Sequence, residues 1–425
     1  MIDSLYPDPV EAQRVREILA ESERQSQLKE IRVIRQTPPW LKKARIYHKL
    51  FKYGLHFSKP LFLVRLARNM ILAKIYAILK IDKHILRGCE FCPTFHCNFD
   101  CSHCLCKELQ ERSTRREMDV EDYRRVVKEA MKLGATAFGI EGGEPFVKKN
   151  WDKIIEACKP RWNHINITTN GYLFDEPRAR RCAELGVTVV AFSIDNGVPE
   201  LHDLFRRKRD SFARAMKGIE LCKRYGIKPI INTVVHKKNL YTDGLLKLLE
   251  FAEEEHILLH LIFAKAVGNF KDDRALMLDD DDFKAFRHII APYGFAHLHH
   301  DTETVHVGKR GGCPGTKEVL NFTPYGDVIH CALMHIYFGN VMEESLASIR
   351  ERALKQTPFS RFQPCFLTQD KDFMNIYYPA MEGKAHLKIE EFREALIEYE
   401  TQNQVVLYPE MHKEPQEPMS GSRGA

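Results

Sequence analysis

Between residues 41 and 87 the chain has almost no negative charge: Asp82 is the only acid, against twelve lysines and arginines. No signal peptide is evident, so the twelve cysteines are not read as a secreted disulfide framework. They fit a reducing compartment and metal ligation, and we expect a cytoplasmic protein. There is no internal repeat. No uninterrupted apolar run is long enough to span a bilayer. In the segment 41–87, Phe57, Leu61, Val64, Ile71, Ile75 and Ile78 are interleaved with Arg65, Arg68 and Lys74. Each such cation at a bilayer centre costs about 2.5–3.5 kcal/mol. A basic amphipathic helix on an anionic membrane surface, peripheral on the inner face, is the functional expectation. The same periodicity also fits a helix packed on the protein with its lysines in water. Nucleic acid is not an expected partner, because the apolar content suits a membrane face better than a base-reading module.

What is present is a chain of 425 residues, 44% hydrophobic, with a mild net charge of +6. That is long enough for two or three domains. Residues 1–40 read as helical and end at Thr37-Pro38-Pro39-Trp40, where paired prolines break a helix. From Glu414 onward the composition of proline, glycine and serine predicts disorder.

The chemistry begins at Cys97, Cys101 and Cys104, in the run CNFDCSHC, directly after a strand-like stretch. Three thiols at this compact spacing suit an iron–sulfur cluster with one iron left open. Structural zinc sites usually close with four ligands. Downstream, apolar runs at 135–140, 165–168, 187–193, 230–235 and 258–264 alternate with helix-like segments at 120–132, 151–157, 177–185, 212–225 and 245–255. This alternation predicts βαβ units and a parallel sheet. The polar motifs fall at the carboxyl ends of the strands, where such sheets bind ligands. They are Glu141-Gly142-Gly143-Glu144-Pro145, Thr169-Asn170-Gly171 and Ser193-x-Asp195. Taken alone, Gly142-Gly143 reads as a tight turn, and Arg206, within Arg206-Arg207-Lys208-Arg209, as a solvated charge run.

From about residue 88 to 265 these motifs resemble the radical S-adenosylmethionine (radical SAM) enzymes. The resemblance implies a partial (β/α)6 TIM-like barrel, α/β in class. It also implies a four-iron, four-sulfur ([4Fe-4S]) cluster on Cys97, Cys101 and Cys104, whose open iron binds the amino and carboxylate groups of S-adenosylmethionine (AdoMet). In that family one electron cleaves AdoMet, and the 5′-deoxyadenosyl radical removes a hydrogen from substrate. An electron donor such as flavodoxin or ferredoxin is implied as a partner. By the same resemblance Glu141, Gly142, Gly143, Glu144 and Pro145 cradle the AdoMet amino group. Thr169, Asn170, Ser193 and Asp195 make ribose and methionine contacts, and Arg206 reaches a carboxylate. The family usually has an aromatic residue before the third cysteine, and here His103 stands ready to stack on adenine.

A second cysteine pattern lies further on. Cys313 is followed by Gly326 and Cys331, and Cys365 comes later, with a hairpin expected around Pro324-Tyr325-Gly326-Asp327. This resembles the SPASM/twitch extension of radical SAM enzymes, which implies an auxiliary [4Fe-4S] cluster. The dense later cysteine group of the full SPASM pattern is missing, so the shorter twitch form is expected. Its fourth ligand is a substrate atom, His306 or another cysteine. Cys89 and Cys92 have a metal-like spacing but also read as buried thiols on the first strand, and Cys106 is unassigned. Cys158, Cys182 and Cys222 read as core. The histidines at 297, 299 and 300 are more often surface or hydrogen-bonded residues than ligands.

The domain expectation is a basic helical segment at 1–87, a barrel at 88–300, a twitch-like unit at 301–372 and a C-terminal helix with a tail at 373–425. The substrate expectation is lipid-like or membrane-associated. The alternative within the same chemistry is maturation of a ribosomally made peptide. Outside it stands a non-catalytic iron–sulfur or zinc protein, which has no need of an AdoMet pocket.

Overall fold

The computed structural model describes all residues except 32–51, 54–56, 82, 108, 110–113, 299–312, 361–364 and 403–425. The expected boundary at Thr37–Trp40, the residues His299, His300 and His306, and the expected tail from Glu414 lie outside the described residues. Two helices, α1 (Ile2–Leu5) and α2 (Pro9–Leu28), open the chain, and α3 (Pro60–Ile78) leads into the barrel. No described helix is long and apolar enough to cross a membrane.

Seven parallel strands follow: β1 (Gly88–Phe91), β2 (Ala137–Ile140), β3 (His164–Thr169), β4 (Val189–Ser193), β5 (Lys228–Val235), β6 (Leu258–Phe263) and β7 (Ala296–Leu298). They pair in chain order, and each parallel pair is joined by a helical crossover. Helix α4 (Val120–Lys132) shows why the crossovers form. The Asp119 side chain accepts hydrogen bonds from the Glu121 and Asp122 amides, and the Asp122 carboxylate accepts one from the Asp119 amide. This capping box fixes the start. Tyr123, Val126, Val127 and Ala130 then recur at helical spacing and are all buried, each large side chain contributing about 1.5–3 kcal/mol. The remaining crossovers are α5 (Trp151–Ala157), α6 (Glu176–Leu185), the pair α7 (Pro199–Arg206) and α8 (Ser211–Arg224), the pair α9 (Lys237–Leu240) and α10 (Asp243–Glu254), and α11 (Asp280–Ile290).

Strand parity divides the side chains. On β3, Ile165 and Ile167 enter the core under the helices, while Asn166 and Thr168 face the barrel lumen. On β5, Ile231 and Val235 face out, and Ile230, Asn232 and Val234 face in. The lumen therefore receives every second residue, and many of these are polar.

The expected hairpin is present as β8 (Val319–Phe322) and β9 (Asp327–Cys331), antiparallel to each other. It is not detached from the barrel: β8 pairs with β1 in parallel, Gly88 opposite Val319 and Phe91 opposite Phe322. Strands β10 (Met334–Asn340) and β11 (Leu387–Lys388) continue outward, giving one eleven-stranded sheet. Helices α12 (Leu346–Gln356), α13 (Lys371–Met381) and α14 (Ile389–Gln402) complete the C-terminal part.

Candidate functional site

A cavity of about 580 Å³ occupies the barrel and opens at the carboxyl ends of the strands. The loop after β1 carries Cys97, Cys101 and Cys104 to this mouth. Backbone bonds tie the loop to the glycine motif: Gly143 N donates to Thr94 O and Glu144 N to His96 O, both at 2.9 Å. A Cβ on Gly143 would lie 2.2 Å from His96 O. Gly142 has φ +119°. Both positions require glycine, so the pair is more than a turn: it lets two chain segments close on one another beside the thiols.

All three cysteines are free thiols. Cys97 Sγ accepts from Phe99 N at 3.4 Å and Asn170 Nδ2 at 3.8 Å, and Cys101 Sγ from the Arg206 guanidinium at 3.8 Å. Burial pushes Cys97 up to about 12 and Cys101 up to about 11, and raises Cys104. Metal binding must therefore displace protons. Three thiols with sulfur-directed donors in one loop fit the donor set of an iron–sulfur cluster.

Of the other expected residues, His103, Glu141, Gly142, Gly143, Thr169, Asn170, Ser193 and Arg206 line the cavity. Glu144, Pro145 and Asp195 lie behind its wall. Glu144 is fully buried and accepts from Thr169 Oγ1 at 2.9 Å, Asn170 N at 2.8 Å and Phe146 N at 3.2 Å. It joins the glycine motif to the end of β3. Burial pushes it up to about 7, against those hydrogen bonds, and burial pushes Glu141 to about 7 as well.

Asp195 Oδ1 accepts from Val234 N at 2.9 Å and its Oδ2 from Arg206 Nε at 2.6 Å. Burial works to raise this carboxyl, but the Arg206 cation with His103 and His202 outweighs it and holds Asp195 at about 2. The charge run splits accordingly. Arg206 is buried, whereas Arg207 and Arg209 reach the surface carboxylates of Asp100 and Glu11. Reading the run as solvated holds for its later members only.

His103 stacks on Phe205 with centroids 4.6 Å apart and planes at 7°. Burial pushes it down to about 3, so the ring is neutral. Phe205 covers one face of the ring, and Phe270 lies tilted against it with centroids 6.2 Å apart.

The second cysteine group borders the same cavity through Cys313 and Cys331, with Cys365 buried next to Phe366. Burial pushes Cys313 up to about 12 and Cys331 to about 11, and both thiols feel Cys365. Among the described residues no three His, Cys, Asp or Glu side chains converge tightly enough for a single metal ion. Thiolates on the separate irons of a cluster stand farther apart than the ligands of one ion. Cys92 and Cys106 both line the cavity, and the Cys92 thiol donates to Thr94 O at 3.3 Å. Cys89 is fully buried on the opposite face of β1. In a strand, positions i and i+3 point to opposite faces, so Cys89 and Cys92 cannot act as one ligand pair.

Three lumen residues escape motif reading: Glu90, Lys265 and His330. Glu90 lies over Gly139, where a Cβ would meet its carboxylate at 1.5 Å. Burial and Glu141 push the Glu90 carboxyl well up. A charged residue inside a short buried strand was the available signal.

The Radical SAM superfamily profile matches residues 91–252. Fe-coproporphyrin III synthase of Methanosarcina barkeri is 27% identical over 175 residues, 40% of this chain and 43% of that protein. The chain thus spans less than half of that relative's length. AdoMet-dependent heme synthase of the same organism is 23% identical over 286 residues, 61% of this chain and 80% of that protein. Among solved structures, Streptococcus suis SuiB bound to its precursor peptide SuiA shares the fold at TM-score 0.54 and 18% identity, over 74% of this chain and 78% of SuiB. The anSMEcpe protein with bound AdoMet does so at TM-score 0.52 and 19% identity, over 74% of this chain and 99% of that one. Residues 91–252 thus match the Radical SAM superfamily, and that stretch builds most of the parallel barrel and its cysteine loop.

Proposed function

We propose that this chain binds a [4Fe-4S] cluster on Cys97, Cys101 and Cys104 and AdoMet beside it, and abstracts hydrogen from a substrate held in the lumen. When bound and reduced, the cluster supplies the electron that cleaves AdoMet. The protein's own part is to orient and enclose. Glu141, Gly142 and Gly143 present carboxylate and backbone to a ligand amino group. Asn170 and the cationic Arg206 stand where a carboxylate and ribose can be held. The barrel wall keeps water from the reacting atoms. Cys313, Cys331 and Cys365 we assign to an auxiliary cluster on the β8–β9 side. The shared place of the three mouth thiols in the cavity lining beside the β2, β3 and β4 ends supports this reading. Anaerobic reconstitution tests it: about eight irons and a reduced-cluster EPR signal perturbed by AdoMet are expected. Zinc in place of iron, or no AdoMet effect, overturns it.

The expectation of a lipid-like substrate finds little support in the lumen. Glu90, Glu141, Asn166, Asn232, His260 and His297 all border it, and a hydrocarbon chain would strip water from these groups without replacing their hydrogen bonds. The lining also includes Phe95, Leu109, Ile230, Val234, Leu258 and Ile262, so a substrate that joins apolar groups to hydrogen-bond donors fits it better. We favour a ribosomally made peptide, a reading supported by SuiB and its bound precursor peptide. The N-terminal helical segment we assign separately to an anionic membrane surface. Label transfer separates the substrate classes. Deuterium in 5′-deoxyadenosine from a deuterated peptide pool supports the peptide, and label from deuterated phospholipid instead rejects it.

A further inference from the structure

Helix α3 is inverted. A helix on a globular surface buries its apolar stripe and shows its polar face to water. Here the polar residues dock instead. Asn69 Nδ2 donates to Gly134 O at 2.7 Å, and Arg65 bonds to Ala135 O, Trp162 O and the Asn163 side chain. Lys59 Nζ, just before the helix, donates to Asn163 O, Gly186 O and Thr188 Oγ1 at 2.7–3.0 Å. These acceptors precede β2, β3 and β4, so the helix lies across the amino ends of the strands, opposite the mouth. Phe62 is its one buried aromatic.

The outward face carries Leu61, Val64, Ile71, Ile75 and Ile78, which are 40–78% exposed, continued by Phe57, Leu79 and Ile81. A contiguous apolar patch rimmed by polar groups marks an interaction surface. Its rim is cationic, with Arg68, Lys74, Lys80 and Lys83 all exposed. At the amino end of α3 lies a cleft of about 500 Å³ lined by Lys52, Lys59 and Lys228 together with Phe57 and Tyr225, and no carboxylate is among its described lining residues. Lys59 bonds only to neutral oxygens there, so its charge is not cancelled by an acid. Burial and Lys228 push it down to about 8.

We propose that the outer face of α3 and the lysine cleft at its start dock on an anionic phospholipid bilayer. The apolar stripe enters the acyl boundary, and the cleft receives a headgroup phosphate. Apolar area plus basic charge is the combination that holds an interfacial helix to anionic lipid. This rests on the membrane reading of the N-terminal segment and is independent of the radical chemistry. It also fixes orientation: the barrel's amino end faces the membrane and the catalytic mouth faces away, so membrane binding need not imply a lipid substrate.

The test is flotation of the full chain with phosphatidylcholine vesicles, alone or mixed with phosphatidylglycerol. Binding to the mixed vesicles only is expected. Ile71→Ser with Ile75→Ser should weaken it roughly tenfold or more, Lys74→Gln with Lys80→Gln should weaken it in a salt-dependent way, and Lys52→Gln should weaken it through the cleft. Iron content equal to wild type reports that the variants fold. Absence of binding by the full chain rejects the membrane reading itself. Binding that Ile71→Ser with Ile75→Ser leaves unchanged rejects this face. Release by inorganic phosphate at the vesicles' own phosphate concentration makes the cleft a soluble-anion site. A dimer that the isoleucine variant converts to monomer, without vesicle binding, assigns the face to a second copy of this chain.

Discussion

Arg206 Nε stands 2.6 Å from Asp195 Oδ2, and the same guanidinium reaches Cys101 Sγ at 3.8 Å. One buried cation thus joins the end of β4 to the cysteine loop. Asp195 and Arg206 are 2% and 8% exposed. A buried pair is weak evidence of net stabilisation, but removing one partner strands the other charge.

Asp195→Asn should therefore cost about 3–5 kcal/mol in urea unfolding. The sign in pH follows from the depressed folded value. Asp195 sits at about 2 when folded, against roughly 3.9 in an unfolded chain. Its contribution is present above pH ~4 and lost as pH falls through about 2, a loss of about 2–3 kcal/mol. The variant should lose that acid dependence, and an unchanged acid slope would show that the pair does not set it.

Glu144 behaves oppositely. Burial holds it at about 7, so the folded state binds a proton that the unfolded chain releases near pH 4.3. Stability should fall as pH rises between about 4.3 and 7. Glu144→Gln, which keeps an acceptor for Thr169 Oγ1 and Phe146 N but loses the one for Asn170 N, removes the titration and should flatten the curve in that window. Urea midpoints measured from pH 5 to 8 in both proteins decide it, and parallel curves count against Glu144.

Much of this was legible beforehand because local patterns and tertiary burial agree. Helix α4 was read with its observed ends, since a capping box and a spacing of 3.6 specify the same residues. The strands at 228–235 and 258–263 were likewise close. Register across the sheet was not legible. Nothing local shows that Val319 sits opposite Gly88, so the hairpin's fusion to the barrel went unread. Side-chain direction was the other loss. Glu144 belongs to the motif but turns away from the cavity to Thr169, and Arg206 looks like part of a surface run but is buried. The sequence of helix α3 admits either face as the inward one, and only its contacts reveal that Asn69 and Arg65 point to the barrel.

Iron content separates the thiols. Cys97→Ala with Cys101→Ala and Cys104→Ala should lose about four of eight irons and the AdoMet-sensitive signal. Cys313→Ala with Cys331→Ala should lose a different four while that signal persists. Cys89→Ala should keep them all, because the Cys89 thiol faces the helices. Loss of iron from Cys89→Ala would contradict the strand parity assigned to β1.

His330 offers a finer test of the second cysteine group. Its Nε2 lies 3.5 Å from Cys313 Sγ and its Nδ1 2.9 Å from Thr316 Oγ1. The socket around the ring is specific. A Cβ on Gly315 would meet the imidazole Cε1 at 2.5 Å, and Phe359 packs at a centroid distance of 4.1 Å. Thr316 holds φ +62°, a conformation strained for a β-branched residue. A cluster-bound thiolate can only accept, so Nε2 must carry the proton, with the Thr316 hydroxyl donating to Nδ1 in the neutral ring. An N–H donor to a ligating sulfur stabilises the reduced, more negative cluster. His330→Leu should therefore retain iron but lower the auxiliary midpoint potential in EPR-monitored redox titration. His330→Gln, whose amide N–H reaches a similar position, should restore much of the difference. Thr316→Gly relieves the strained φ while removing the hydroxyl, so a lowered potential in that variant cannot come from misfolding alone. An unchanged midpoint in His330→Leu with all iron bound would remove the hydrogen bond from the cluster's electronics. Loss of about four irons would make His330 a ligand instead.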